Sequence, residues 1–142
     1  MNIKKAALKD LTAILEVMKA GSTADHTDFV IRAVKAGQCQ VASIDDKVVG
    51  FGILGTSLFF HQEFMELLIV HPGHWRQGIG TALIRKLERL CATNKFFTST
   101  NQSNIRAQKT YEANGFVRSG FIENLDEGDP EIIYFKRLAD KG

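Results

Sequence analysis

The apolar run Leu67-Leu68-Ile69-Val70 stops at Pro72, crosses a short glycine-containing loop and enters a helical pattern at Gly78. Strand, loop and helix are joined end to end, which commits the chain to a fold with both sheet and helix. The loop has a chemical consequence as well. Glycines let a ligand approach the backbone because no Cβ stands in the way. The first amides of a helix lack partners within it, and with the positive end of the helix dipole they form a site for an anion such as phosphate. The spacing predicts a strand-loop-helix pyrophosphate cradle.

Three loop types use this physics, and spacing separates them. A P-loop needs G-x-x-x-x-G-K-[ST], and the chain has no such string. A dinucleotide loop needs G-x-G-x-x-G with an acid roughly 20 residues on. Here Leu83 stands at the third glycine position, and the next expected strand ends Thr98-Ser99-Thr100-Asn101 without an acid. The third type is [Q/R]-x-x-G-x-[G/A] after a strand ending V-x-P. Val70-x-Pro72, Gln77-Gly78-Ile79-Gly80 and Ala82-Leu83-Ile84 resemble it. The run from Asn104 to Phe116, with Ala107, Tyr111 and Gly115 at their places, resembles N-x-x-A-x-x-x-Y-x-x-x-G-F. On these two motifs the chain resembles the GNAT superfamily of acyl-CoA-dependent N-acyltransferases, over about its whole length. It departs from the pattern at Trp75, which holds the usual Gln/Arg position, with Arg76 next to it. Backbone amides are then expected to carry most of the pyrophosphate binding, with Arg76 assisting.

At 142 residues, residues 1–142 are expected to form a single domain. The apolar share of 44% is enough for a core. The 18 basic and 16 acidic side chains leave a net charge of +2, too balanced to point to nucleic acid or an anionic membrane. No apolar stretch reaches the roughly 18 residues of a membrane span. The start, Met1 to Asp10, has basic residues but no apolar region after them, so it does not read as a signal peptide. Cys39 and Cys91 fall in an expected strand and on an expected helix's apolar face. They read as structural thiols without metal-ligand spacing, so no metal is expected. A reducing, cytoplasmic setting fits.

Along the chain, residues 1–5 suit a strand. Leu8 to Ala20 is an amphipathic helix with Leu8, Leu11, Ile14, Leu15 and Met18 inward. His26 to Ala36 is a second, with Phe29, Val30, Ala33 and Val34 inward, stopped by Gly37. Gln38 to Ile44 and Lys47 to Phe60 are strands joined by an Asp45-Asp46 hairpin turn. Glu63 to Val70 is the strand that feeds the cradle. Gly78 to Thr93 is a helix with Ile79, Leu83, Leu87, Leu90 and Cys91 on one face. A strand from Phe96 to Thr100, a helix from Asn104 to Asn114, and strands from Phe116 to Ile122 and Glu131 to Arg137 complete the order. The fold class is α/β, a mixed sheet with helices on both faces, consistent with the GNAT fold.

The resemblance implies transfer of an acyl group, expected to be acetyl, from acetyl-CoA to an amine. Amides of Gln77, Gly78, Ile79, Gly80 and Thr81 can face the pyrophosphate. The pantetheine arm carries two amides and can pair with the backbone of Leu68, Ile69 and Val70 as an added strand. A backbone amide near Ile69 or Val70 is a candidate oxyanion donor. Tyr111 resembles the family's general acid, which donates to the departing thiolate. Asn104 lies two helical turns before it, roughly 10 Å along the axis, and reads as a helix cap, a contact to the pantetheine arm, or both. Glu66 shares a strand face with Phe64, Leu68 and Val70, where an apolar setting raises a carboxyl's pKa toward that of a useful base. Glu63, His61, His71 and bulk water are the alternatives.

The acceptor is less legible. Glu123, Asp126, Glu127, Asp129 and Glu131 crowd one connection, which reads either as a solvated turn or as an attractor for a cationic amine. Phe59, Phe60, His61 and Phe64 read as core and interface or as a pocket wall. Aromatic strand edges are compatible with a homodimer. The expected partner is a small-molecule or peptide amine. The alternative is a non-catalytic acyl-CoA-binding module of the same fold.

Overall fold

The computed structural model describes residues 1–140, with the side chains of Ser57 and Leu58 left aside. In chain order the elements are β1 (Asn2–Lys5), α1 (Leu11–Gly21), α2 (Thr27–Lys35), β2 (Cys39–Ile44), β3 (Lys47–Phe59), β4 (Gln62–Val70), α3 (Ile79–Leu90), β5 (Lys95–Asn101), α4 (Ile105–Ala113), β6 (Val117–Ile122) and β7 (Glu131–Arg137). The seven-stranded sheet has the order β1-β2-β3-β4-β5-β7-β6. It is mixed: β4 and β5 run parallel, while β1–β2, β2–β3, β5–β7 and β6–β7 are antiparallel. Two compact units divide the chain, Met1–Leu54 with Leu67–Leu90, and Gly55–Glu66 with Cys91–Gly142.

In the first unit, strand alternation sorts the core into two layers. Ile14, Val17 and Met18 of α1 and Val30, Ala33 and Val34 of α2 cluster with Cys39, Val41, Phe51, Ile53 and Ile69. Ala42 and Val49 cluster instead with Ile79 and Leu83 of α3, and Leu68 and Val70 pack against that group. Helices therefore cover both faces. A register shift at Ala42/Ser43 pairs Ala42 with Gly50 and Ser43 with Val48, so Val49 is the extra residue of a bulge. Two glycines set the depth at which α3 lies. A Cβ at Gly50 would come within 3.2 Å of Ile79 and 3.3 Å of Leu83, and one at Gly52 within 3.2 Å of Leu87.

Two expected core positions are not in the core. Leu8 is 62% exposed, because the first turn is a 3-10 segment (Leu8–Asp10) before α1 begins, and Val17 takes the inward place. Leu90 is 46% exposed, and α3 ends there rather than at Thr93. The reason is a distant side chain: the Ala92 N–H donates to the Glu63 carboxylate at 2.8 Å. Cys91 is buried just beyond the helix, and Ile84 fills the face that Leu90 was expected to share.

In the second unit, the parallel ladder pairs Glu63 with Phe96, Phe64 with Phe97 and Met65 with Thr98. One sheet face carries Phe96, Tyr134 and Ile132 beneath Tyr111 and Phe116, with the Tyr111 and Tyr134 rings 5.5 Å apart. The other carries a chain of rings, Phe64–Phe59–Phe97–Phe135, at 5.0 to 5.3 Å. α4 is capped by Asn104, whose Oδ1 accepts from the Ala107 N–H at 3.1 Å, and is closed by Gly115 at φ +89°.

Candidate functional site

The cradle belongs to the first unit. β4 ends at Val70, and a short 3-10 turn (Pro72–His74) leads to α3. His71 Nδ1 accepts from the Gly73 N–H at 3.0 Å and so caps this turn. The Trp75 indole N–H donates to the Val70 carbonyl at 2.9 Å, which ties the loop back onto its own strand. The Val70 carbonyl is thus engaged from within the loop, which its expected offer of backbone to a ligand did not foresee. Arg76 and Gly78 both take left-handed backbone, at φ +66° and +79°. This geometry turns the chain sharply into α3. The first intrahelical bond runs from the Ala82 N–H to the Gly78 carbonyl, so the amides of Ile79 and Gly80 precede the ladder of helix bonds. No acidic side chain stands in the first turn, and a Cβ at Gly78 would meet nothing within 4 Å. An anion meets neither charge repulsion from that turn nor a wall at Gly78. Gln77 is exposed, with its Oε1 3.2 Å from His74 Nδ1.

The acid–base candidates belong to the second unit. Glu66 is half-buried on β4, and burial holds its carboxyl above the usual carboxylate range. It packs on Gly55, where a Cβ would lie 2.7 Å from Glu66 Cγ and 2.9 Å from Cδ. Gly55 was missed in the sequence. Its partner is set by the turn, in which Phe60 and His61 take φ of +53° and +63°; counting back from that turn places Gly55 opposite Glu66. Glu63 is 5% exposed, and its Oε2 accepts from the Ala92 N–H at 2.8 Å. His61 lies exposed in the turn, and the Nδ1 lone pair of His71 is spent on Gly73.

Tyr111 is 6% exposed, packed against Phe116 and Tyr134. Burial pushes its hydroxyl up to about 12. Thr98, also missed, is itself buried, and its Oγ1–H donates to the Met65 carbonyl at 2.9 Å. Asn104 is an exposed cap. The acidic connection is not simply solvated. Asp126 and Asp129 accept from Asn101 Nδ2 and Ser103 Oγ at 2.8 and 2.6 Å, and Glu131 accepts from Ser99 Oγ at 2.6 Å. These bonds lock the turn before α4 to the β6–β7 connection.

The fold described above has counterparts among known proteins. The sequence matches the Acetyltransferase (GNAT) family over residues 8–116. The chain belongs to the GNAT acetyltransferase family. A GNAT-family acetyltransferase from Bacillus cereus ATCC 10987 is 36% identical, with a TM-score of 0.89 and 97% of each chain covered. The ribosomal-protein-S18-alanine N-acetyltransferase of Escherichia coli shares the fold at 19% identity, TM-score 0.83, over 99% of this chain and 96% of that one. A Bacillus anthracis protein described as a streptothricin acetyltransferase, crystallised with acetyl coenzyme A, is similar over 70% of this chain and 61% of that one, at 21% identity and TM-score 0.64. No curated protein matches the sequence. GNAT membership carries with it acetyltransferase chemistry and the mixed sheet flanked by helices seen here. No helix among the described residues is long and apolar enough to cross a membrane.

Proposed function

We propose that this GNAT protein moves an acetyl group from acetyl-CoA to a primary amine of a small molecule or peptide, by direct attack in a ternary complex. The observation that carries this reading is Glu66: a half-buried carboxylate with a raised pKa, on the strand that leads into the cradle. Amides of Gln77 to Thr81 hold the pyrophosphate, with Arg76 adding charge at the rim. Leu68 and Ile69 offer backbone to the pantetheine arm, with Val70 contributing its amide side. Asn104 adds a side-chain contact beyond its cap. The acetyl-CoA thioester supplies the activated acyl carbon.

Glu66 takes the amine's proton, directly or through one water, as its raised basicity allows. Tyr111 donates to the sulfur as the carbon–sulfur bond breaks. Its hydroxyl, pushed up to about 12, is a weaker acid than an ordinary thiol, so complete proton transfer is uphill. Tyr111 therefore works chiefly as a hydrogen-bond donor to the developing thiolate. Likeness to both a ribosomal-protein-S18-alanine N-acetyltransferase and a protein described as a streptothricin acetyltransferase keeps peptides and small amines in view. A cytoplasmic setting is part of the same reading, supported by the free thiols of Cys39 and Cys91.

One observation favours the second reading, a non-catalytic acyl-CoA-binding module: Tyr111 is buried, 6% exposed, and packed between Phe116 and Tyr134. Acetyl-CoA thiol release over polyamines, aminoglycosides, amino acids and short peptides separates the two. Turnover with one amine class, lowered in Tyr111→Phe and Glu66→Gln, supports the enzyme. Tight acetyl-CoA binding with no release on any amine supports the module.

A further inference from the structure

Tyr134 of β7 meets α4 at two consecutive residues. Its ring packs edge-on against that of Tyr111, with centroids 5.5 Å apart and planes at 68°. In this arrangement the positive edge of one ring meets the negative face of the other. The Tyr134 hydroxyl donates to Glu112 Oε2 at 2.9 Å. A carboxylate only accepts, so the direction of this bond is fixed and the Tyr134 proton is committed to Glu112. Tyr134 is fully buried, and a close-packed ring has no room to turn away.

The contact is braced from a second strand. Arg118 of β6 is the register partner of Tyr134. Its Nε lies 3.8 Å from the same Glu112 oxygen, and its Nη2 donates to Gln108 Oε1 at 2.9 Å. Gln108 Nε2 donates in turn to the Gln102 carbonyl at 2.6 Å, just beyond β5. Gln108 and Glu112 are one turn apart on α4 and share a face of it. That turn, which carries Tyr111, is therefore tied to β5, β6 and β7. The ties are unequal. The Arg118–Glu112 pair is long and exposed on both sides, so it contributes little. The Tyr134 bond is short, and its donor is buried.

We infer that Tyr134 is a positioning residue for Tyr111: its ring sets where the Tyr111 ring lies, and its bond to Glu112 holds α4 at the very next residue. The consequence for chemistry rests on the acetyltransferase reading above, in which Tyr111 donates to the departing sulfur. A donor held in place before the carbon–sulfur bond breaks has no search to make at that moment. The two tyrosines of the chain thereby take different roles. Tyr134 spends its proton on Glu112 and leaves the sulfur to Tyr111.

The test has one arm that needs no substrate. With ring-labelled tyrosine the chain gives two NMR signals, and Tyr134→Phe leaves that of Tyr111 alone. Glu112→Ala alters neither ring, and Glu112→Gln keeps an acceptor for the Tyr134 hydroxyl. The Tyr111 signal should move in Tyr134→Phe and in Glu112→Ala, and stay close to its wild-type place in Glu112→Gln. A signal unmoved in both Tyr134→Phe and Glu112→Ala overturns the inference. The second arm uses whichever amine the wild type acetylates. Tyr134→Phe and Glu112→Ala should each lower kcat roughly tenfold with KM for acetyl-CoA unchanged, Glu112→Gln should recover most of it, and Tyr134→Phe should add nothing in the Tyr111→Phe background. Wild-type kcat in Tyr134→Phe, with Tyr111→Phe slow, overturns it. Should the wild type acetylate nothing, the acetyltransferase reading fails, while the NMR arm still decides whether Tyr134 holds Tyr111.

Discussion

Gly55 lies against the side chain of Glu66, so closely that a Cβ there would sit 2.7 Å from Glu66 Cγ and 2.9 Å from Cδ. The atoms in the way belong to one flexible side chain rather than to backbone, so the clash can be relieved by swinging the carboxylate aside. Gly55→Ala should therefore cost about 1 to 3 kcal/mol of stability and move the proposed base. The expected result is a kcat at least about tenfold lower with acetyl-CoA affinity unchanged. Turnover, calorimetric binding and denaturant unfolding of the one variant check all three parts. Full activity would mean that the position of Glu66 does not matter to the reaction.

The raised pKa of Glu66 sets two pH dependences of opposite sign. A carboxyl whose folded value lies above its unfolded value binds its proton more tightly in the folded chain. Stability from this group is therefore greatest at low pH, falls as pH rises through the window between the two values, and is level above it. Activity runs the other way, because a base must be ionised, so kcat/KM should rise with pH through the folded value. The acid limb should lie above the usual carboxylate range in wild type and vanish in Glu66→Gln. A pH–rate profile of the two proteins measures this, and an unchanged limb in Glu66→Gln would remove Glu66 as the base.

Glu63 gives the contrasting expectation. It is buried and accepts the Ala92 amide at 2.8 Å. Glu63→Ala leaves that amide without its partner and should destabilise by about 2 kcal/mol, while Glu63→Gln keeps an acceptor and should cost much less. Neither should shift the acid limb of the rate profile. Thermal unfolding and the same pH series distinguish this structural role from a catalytic one.

What the sequence reveals of this molecule is what is local in it. Pro72, Gly78 and the alternation along Glu63 to Val70 punctuate the chain within a few residues of the features they create, so the cradle and the feeding strand are legible. The Asp45-Asp46 turn is legible for the same reason, and both residues take positive φ. Leu8 and Leu90 sit at the ends of periodic patterns, where periodicity cannot say whether the helix has already begun or stopped. The end of α3 depends on Glu63, 29 residues away from the amide it holds. Thr98 and Gly55 escape for a related reason: each matters only through a residue on a neighbouring strand, and pairing register is not written in a single strand's pattern.

Arg76 separates affinity from strain at a single position. It is exposed, follows the departure at Trp75, and holds φ at +66°. A non-glycine residue there costs about 1 kcal/mol relative to one free of Cβ hindrance. If its guanidinium assists the pyrophosphate, Arg76→Ala should raise KM for acetyl-CoA several-fold, roughly three to ten, with kcat unchanged and a weaker dependence on salt. Arg76→Gly should lose the same affinity but gain stability of about 1 kcal/mol as the strain is released. Binding titrations at two salt concentrations, paired with denaturant unfolding of both variants, read the two effects apart. Unchanged KM and unchanged salt dependence in both would leave the cradle's backbone amides as the whole of the pyrophosphate site.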